Sequence, residues 1–103
     1  MKLSLEVELS DGYSAETIEQ TRKVMSAAAE YIPLFAAKQE AYGRQNIAAF
    51  GEEGVVLRLH DKVQRLINLV WRRVSTRLEP ARDSWLDVIG YGLIGLLNHD
   101  GEW

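Results

Sequence analysis

The chain has 103 residues, enough for one small domain and little more. Apolar residues make up 47% and charged residues 26%, the mix of a folded globular chain rather than a disordered one. No cysteine is present, which excludes disulfides, iron–sulfur clusters and thiol chemistry. The formal net charge of −3 argues against bulk attraction to polyanions. The longest uncharged run, Val88–His99, is far short of a membrane span. MKLSLEVELS has neither the apolar core nor the cleavage site of a signal peptide, so a cytoplasmic location is the default expectation.

The first ten residues alternate, with Leu3, Leu5, Val7 and Leu9 apolar and Lys2, Ser4, Glu6 and Glu8 polar, which is the period of a half-buried strand. Asp11-Gly12 then reads as a turn. A lone strand cannot pair its own edges, so residues 1–12 either pair between subunits or form an extended arm. Residues 13–97 read as a helical bundle and 98–103 as a frayed tail, all in one domain.

Ser14 is placed to cap the first helix, with Glu16 in its first turn. Ile18, Val24, Met25, Ala28 and Ala29 mark its apolar face. Pro33 is expected to kink or restart it, and Gly43 to end it. Gly51 and Gly54 bracket Glu52-Glu53 and read as a loop. The next helix, from Val55 to Leu78, carries an apolar stripe of Val56, Leu59, Val63, Leu66, Ile67, Val70 and Val74. Glu79-Pro80 closes it and opens a last helix from Ala81 to Leu97. There Leu86, Ile89, Leu93 and Leu96–Leu97 are expected to point inward. The other faces of that helix are also apolar, which suggests cover by a second subunit.

The charge is unevenly spread. Between Val55 and Leu78 stand Arg58, Lys62, Arg65, Arg72, Arg73 and Arg77 against one acid, Asp61. Two readings remain open: a local anion site, or a helix pairing with the acidic remainder of the chain. Asp83 and Asp87 are one helical turn apart, and Asp87 lies inside an otherwise apolar helix. If Asp61 faces them across the helix interface, three carboxylates converge and need a cation. An oxygen-only ligand set points to Mg²⁺ or Mn²⁺. The alternative is a helical hairpin held by salt bridges. Glu40 is either a fourth carboxylate or a solvated one. Lys62 and Arg65 are suited to phosphates. His60 and His99 lack ligand spacing. Trp71 and Trp85 read as core or oligomer interface. GEEG has neither the spacing nor the lysine of a phosphate loop.

Three stretches carry a resemblance: KQEAYG at 38–43, RLHDKVQRLINL at 58–69 and DSWLDVIGY at 83–91. In these the chain resembles the MazG-like all-α nucleoside triphosphate pyrophosphohydrolases, and more narrowly the nucleotide modification associated domain 1 family common in bacteriophage genomes. The resemblance implies an α-helical bundle completed as a homodimer or homotetramer. It also implies Mg²⁺ (or Mn²⁺) bound by acidic pairs on two helices. Asp83 and Asp87 match the second pair. The first is altered, since Arg58 and Arg65 flank Asp61 where the pattern asks for glutamate, leaving Glu40 as the candidate for the missing ligand.

The implied metal set is thus Glu40, Asp61, Asp83 and Asp87, with Asp61, Lys62, Arg65 and Asp87 carrying the reaction. Lys38, Tyr42, Arg58, Lys62, Arg65, Asn68 and Tyr91 would contact the substrate. That reaction splits a nucleoside triphosphate into a monophosphate and pyrophosphate, in the host cytoplasm if the chain is phage-encoded. Two alternatives stand: a module that binds a nucleotide without cleaving it, favoured by the altered acidic pair, and a nucleic-acid-binding helical protein, disfavoured by the net charge.

Overall fold

The computed structural model describes residues 1–75 and 80–103, and for Ala48 the backbone alone. All the regular structure among them is helical: α1 (Ala15–Tyr42), α2 (Arg44–Ala48), α3 (Gly51–Leu66) and α4 (Ala81–His99). A π-helical turn, Ile67–Trp71, extends α3. The expected all-α character is therefore present. Residues 1–10 form neither helix nor strand, and every one of them is exposed.

α1 starts as its sequence dictates, with the Ser14 hydroxyl accepting a hydrogen bond from the Thr17 N–H at 3.1 Å. It then runs as one continuous helix through Pro33, so the expected restart there is corrected. Pro33 and Ala29, whose carbonyl loses its partner to the proline, are both exposed, and water can serve that carbonyl. Gly43 ends the helix at φ 77°, with its N–H donated to the Gln39 carbonyl at 2.8 Å.

The expected loop at Gly51–Gly54 is instead the first turn of α3. Glu52 and Glu53 complement the positive end of the helix dipole there. Gly54 is buried, and a Cβ on it would press into the Cβ of Phe50. This helix also stops earlier than its apolar stripe predicts. The Arg72 N–H reaches back to the Ile67 carbonyl at 3.0 Å, five residues away, which widens the last turn. Arg73 then takes φ 55°, a left-handed conformation that ends the helix. Arg77 and the Glu79 half of the Glu79-Pro80 boundary lie outside the described residues.

The tail is docked rather than frayed. Gly101 at φ 71° donates to the Asn98 carbonyl, and Glu102 donates to the Leu97 carbonyl at 2.8 Å, closing a Schellman cap on α4. Trp103 meets Phe35 edge-on, with ring centroids 6.1 Å apart, and donates its indole N–H to the Arg44 carbonyl.

α3 and α4 form the main helix pair, and α1 crosses α4 more lightly. Ile47, Val55 and Ile94 form the core, flanked by Phe35, Tyr91 and Trp103. The expected inward set of α4 is corrected in part: Leu86 and Ile89 are half-buried, but Leu93, Leu96 and Leu97 are exposed. On α3, Val56 and Val63 are exposed too, as are Val70 and Val74 beyond it. Trp71, at 82% exposure, and Trp85 fill no core in this chain.

Candidate functional site

Three helices meet at Asp87. Lys38, on the C-terminal half of α1, donates to Asp87 Oδ1 at 2.7 Å. Lys62, on α3, lies 2.8 Å from Asp87 Oδ2. The Asp87 side chain is only 11% exposed. Burial alone would raise its pKa, but hydrogen bonds and charge from the two lysines outweigh that and hold the carboxyl below its ordinary value. The cost of placing a carboxylate inside an apolar helix is thus met by two ammonium groups.

This triad forms one wall of a cavity of about 380 Å³. Arg58 adds a third cation and is steered by its own contact, with Nη2 donating to the Asn46 carbonyl at 3.3 Å. Four aromatic side chains also line it: Tyr31, Phe35 and Tyr42 from α1, and Tyr91 from α4. Burial is the main cause that raises the Tyr31 pKa, with the Asp87 charge second, so this phenol stays neutral near the carboxylate. Among the described lining residues, three cations against one carboxylate, beside flat apolar surfaces, suit an anion that carries a ring.

Six of the residues singled out by sequence converge here: Lys38, Tyr42, Arg58, Lys62, Asp87 and Tyr91. Others do not line the cavity. Glu40, Asp61 and Asp83 are exposed, on α1, α3 and the first turn of α4, respectively. Asn68 is exposed on the π turn, and Arg65 is half-buried on α3. Among the described residues, no group of three or more His, Asp or Glu side chains is placed to hold a metal ion. Among the described lining residues the cavity offers a cation one carboxylate, with an ammonium on each oxygen, so these residues do not fit a resident metal held by protein ligands alone.

Sequence reasoning missed Tyr31, Phe35 and Asn46. Tyr31, Phe35, Lys38 and Tyr42 recur at steps of three and four, a single stripe of α1. Their spacing was readable, but which stripe faces the cavity depends on how α1 crosses α4. No helix among the described residues is long and apolar enough to cross a membrane. No family model, curated protein or solved structure matches the chain.

Proposed function

We propose that this cavity binds a nucleoside phosphate. The observation that carries the reading is the meeting of Lys38, Arg58 and Lys62 with Tyr31, Phe35, Tyr42 and Tyr91 in one space. Cations suit the phosphates, and aromatic rings suit the base. The volume falls within the range of small-molecule sites. Convergence of the basic residues on a cavity favours a small ligand over a nucleic-acid duplex.

Between binding and cleavage, the geometry favours binding, because both oxygens of the Asp87 carboxylate are engaged by lysines. The second reading is a Mg²⁺-dependent pyrophosphohydrolase. One observation favours it: Mg²⁺ that arrives on a triphosphate needs as little as one protein carboxylate, and Asp87 is ionised and at hand. Titration with ribo- and deoxynucleoside triphosphates, with and without Mg²⁺, followed by ion-exchange separation, tests both. Saturable binding with intact triphosphate supports the module. Monophosphate plus pyrophosphate supports the enzyme, and no binding at all overturns both.

The chain is further proposed to act as a homodimer or homotetramer. It exposes 8449 Å², against about 5,900 Å² for a compact monomer of its mass. Its radius of gyration is 16.0 Å, where about 13 Å is typical. A wholly apolar groove of about 250 Å³ opens between Ile32 on α1 and Leu93, Leu96 and Leu97 on α4. Light scattering at several concentrations gives the mass directly, and a monomer throughout would sink this reading.

A further inference from the structure

We infer that residues 1–10 of two copies pair as an antiparallel ribbon in one register, with Leu5 facing Leu5 across the two-fold axis. This rests on the self-association proposed above and adds an interface to it. Among the described residues, no backbone hydrogen bond joins residues 1–10 to the rest of the chain. Leu3, Leu5, Val7 and Leu9 are exposed at 79%, 72%, 51% and 47%, respectively. A segment with strand periodicity, unpaired edges and an uncovered apolar face is suited to add to another strand.

The charges choose the partner and the register. Parallel pairing of two copies in register sets Lys2 against Lys2, Glu6 against Glu6 and Glu8 against Glu8, like charges that repel. An antiparallel slip by one residue sets apolar against polar positions along the whole ribbon. Centring the antiparallel pair on residue 6 sets Glu6 against Glu6, and centring it on residue 4 leaves Glu8 and Leu9 outside the pairs that residues 1–10 form among themselves. Centring it on residue 5 puts Lys2 opposite Glu8 on both sides, Ser4 opposite Glu6, and Leu3 opposite Val7. The apolar face also has a seat, because Val7 and Leu9 already line a cavity of about 380 Å³ with Tyr13, Ile18 and Met25 of the same chain. A bare two-stranded ribbon is marginal in water, so this cover is needed.

The test uses the full chain, which has no cysteine to interfere. Leu3→Cys, Leu5→Cys and Val7→Cys are made singly and oxidised mildly. Leu5→Cys is expected to cross-link on the order of tenfold faster than either of the others, since only it faces itself within disulfide reach. In Val7→Cys the two sulfurs sit about 13 Å apart along the ribbon. Mixing Leu3→Cys with Val7→Cys restores fast cross-linking. Lys2→Glu should weaken self-association, and adding Glu8→Lys should recover it. Equal rates for all three cysteine variants, or no cross-linking of Leu5→Cys in an oligomeric chain, would overturn the register while leaving self-association intact. A monomeric wild type would instead sink self-association itself, and the ribbon with it.

Discussion

The hydroxyl of Tyr31 packs where a side chain on Gly90 would begin, and a Cβ at position 90 would overlap it. Tyr31 is 5% exposed and is the one buried residue of α1, every residue of which is described, so this approach sets how closely α1 crosses α4. Gly90→Ala must push out a ring that is also a wall of the cavity. The expected loss is about 1–3 kcal/mol in urea unfolding, with weaker nucleotide binding. Gly92, two residues along α4, where an added Cβ would meet nothing beyond its own helix within 4 Å, is the control. Gly92→Ala should instead stabilise by about 0.5–1 kcal/mol, as expected for a helix interior. If both variants behaved alike, the close approach would not be what matters.

Asp87 should make stability depend on pH in acid. Its carboxyl sits below its ordinary value because Lys38 and Lys62 bind the charged form more strongly than burial disfavours it. A depressed carboxylate contributes stability above its unfolded pKa of about 4, and that contribution is lost as pH falls through the folded value. Asp87→Asn removes this dependence and about 1–3 kcal/mol at neutral pH, since two ammonium groups lose a charged acceptor. Urea midpoints of wild type and variant should converge as pH drops below about 4. Parallel curves would show that the ion pair contributes nothing. Glu30, whose carboxyl is lowered by its hydrogen bond to Arg82, is exposed and adds little.

Ser84 offers a gain rather than a loss. Its side chain is fully buried on α4, and its hydroxyl has no hydrogen-bond partner among the described residues. Ser84→Ala removes an unsatisfied polar group and improves helix propensity, so thermal stability should rise by up to about 1 kcal/mol. A loss of that size would mean that the hydroxyl has a partner in solution.

How much of this was legible in the sequence follows from which forces act locally. The Ser14 cap and the Gly43 stop depend on residues within one turn, and both read correctly. Gly51–Gly54 misled, as did Pro33 as a point of restart, because propensity was read without solvent exposure or packing. The apolar stripe of α3 showed where a core could form. It did not show that this chain covers Val55 and Leu66 while leaving Val56 and Val63 bare. For the site, Asp87 stood out because a carboxylate inside an apolar helix requires a partner. That its partners are Lys38 and Lys62, rather than Asp61 and Asp83 around a cation, depends on the crossing of α1 over α4 and on the rotation of α3. Neither leaves a periodic trace.

That distinction gives the most decisive comparison. If the cavity binds nucleotide through its cations, Lys38→Ala, Arg58→Ala and Lys62→Ala should each weaken triphosphate binding by about 1.5–3 kcal/mol, the worth of a charge-assisted hydrogen bond. Glu40→Gln, Asp61→Asn and Asp83→Asn should change it by less than about 0.5 kcal/mol, as surface substitutions do. Asp87→Asn separates the two readings by sign. It removes a negative charge that Lys38 and Lys62 both engage at the cavity wall, so a binding module should hold triphosphate more tightly. An enzyme that needs this carboxylate for a Mg²⁺-bound substrate should lose turnover instead, and should respond to Asp61 and Asp83 as well if those residues close around the metal. Calorimetric titration of the four carboxylate variants, with and without Mg²⁺, reads both outcomes on the same samples. A Mg²⁺-dependent loss of affinity at Asp61 or Asp83 would mean that the bound state draws in carboxylates that stand apart in this structure.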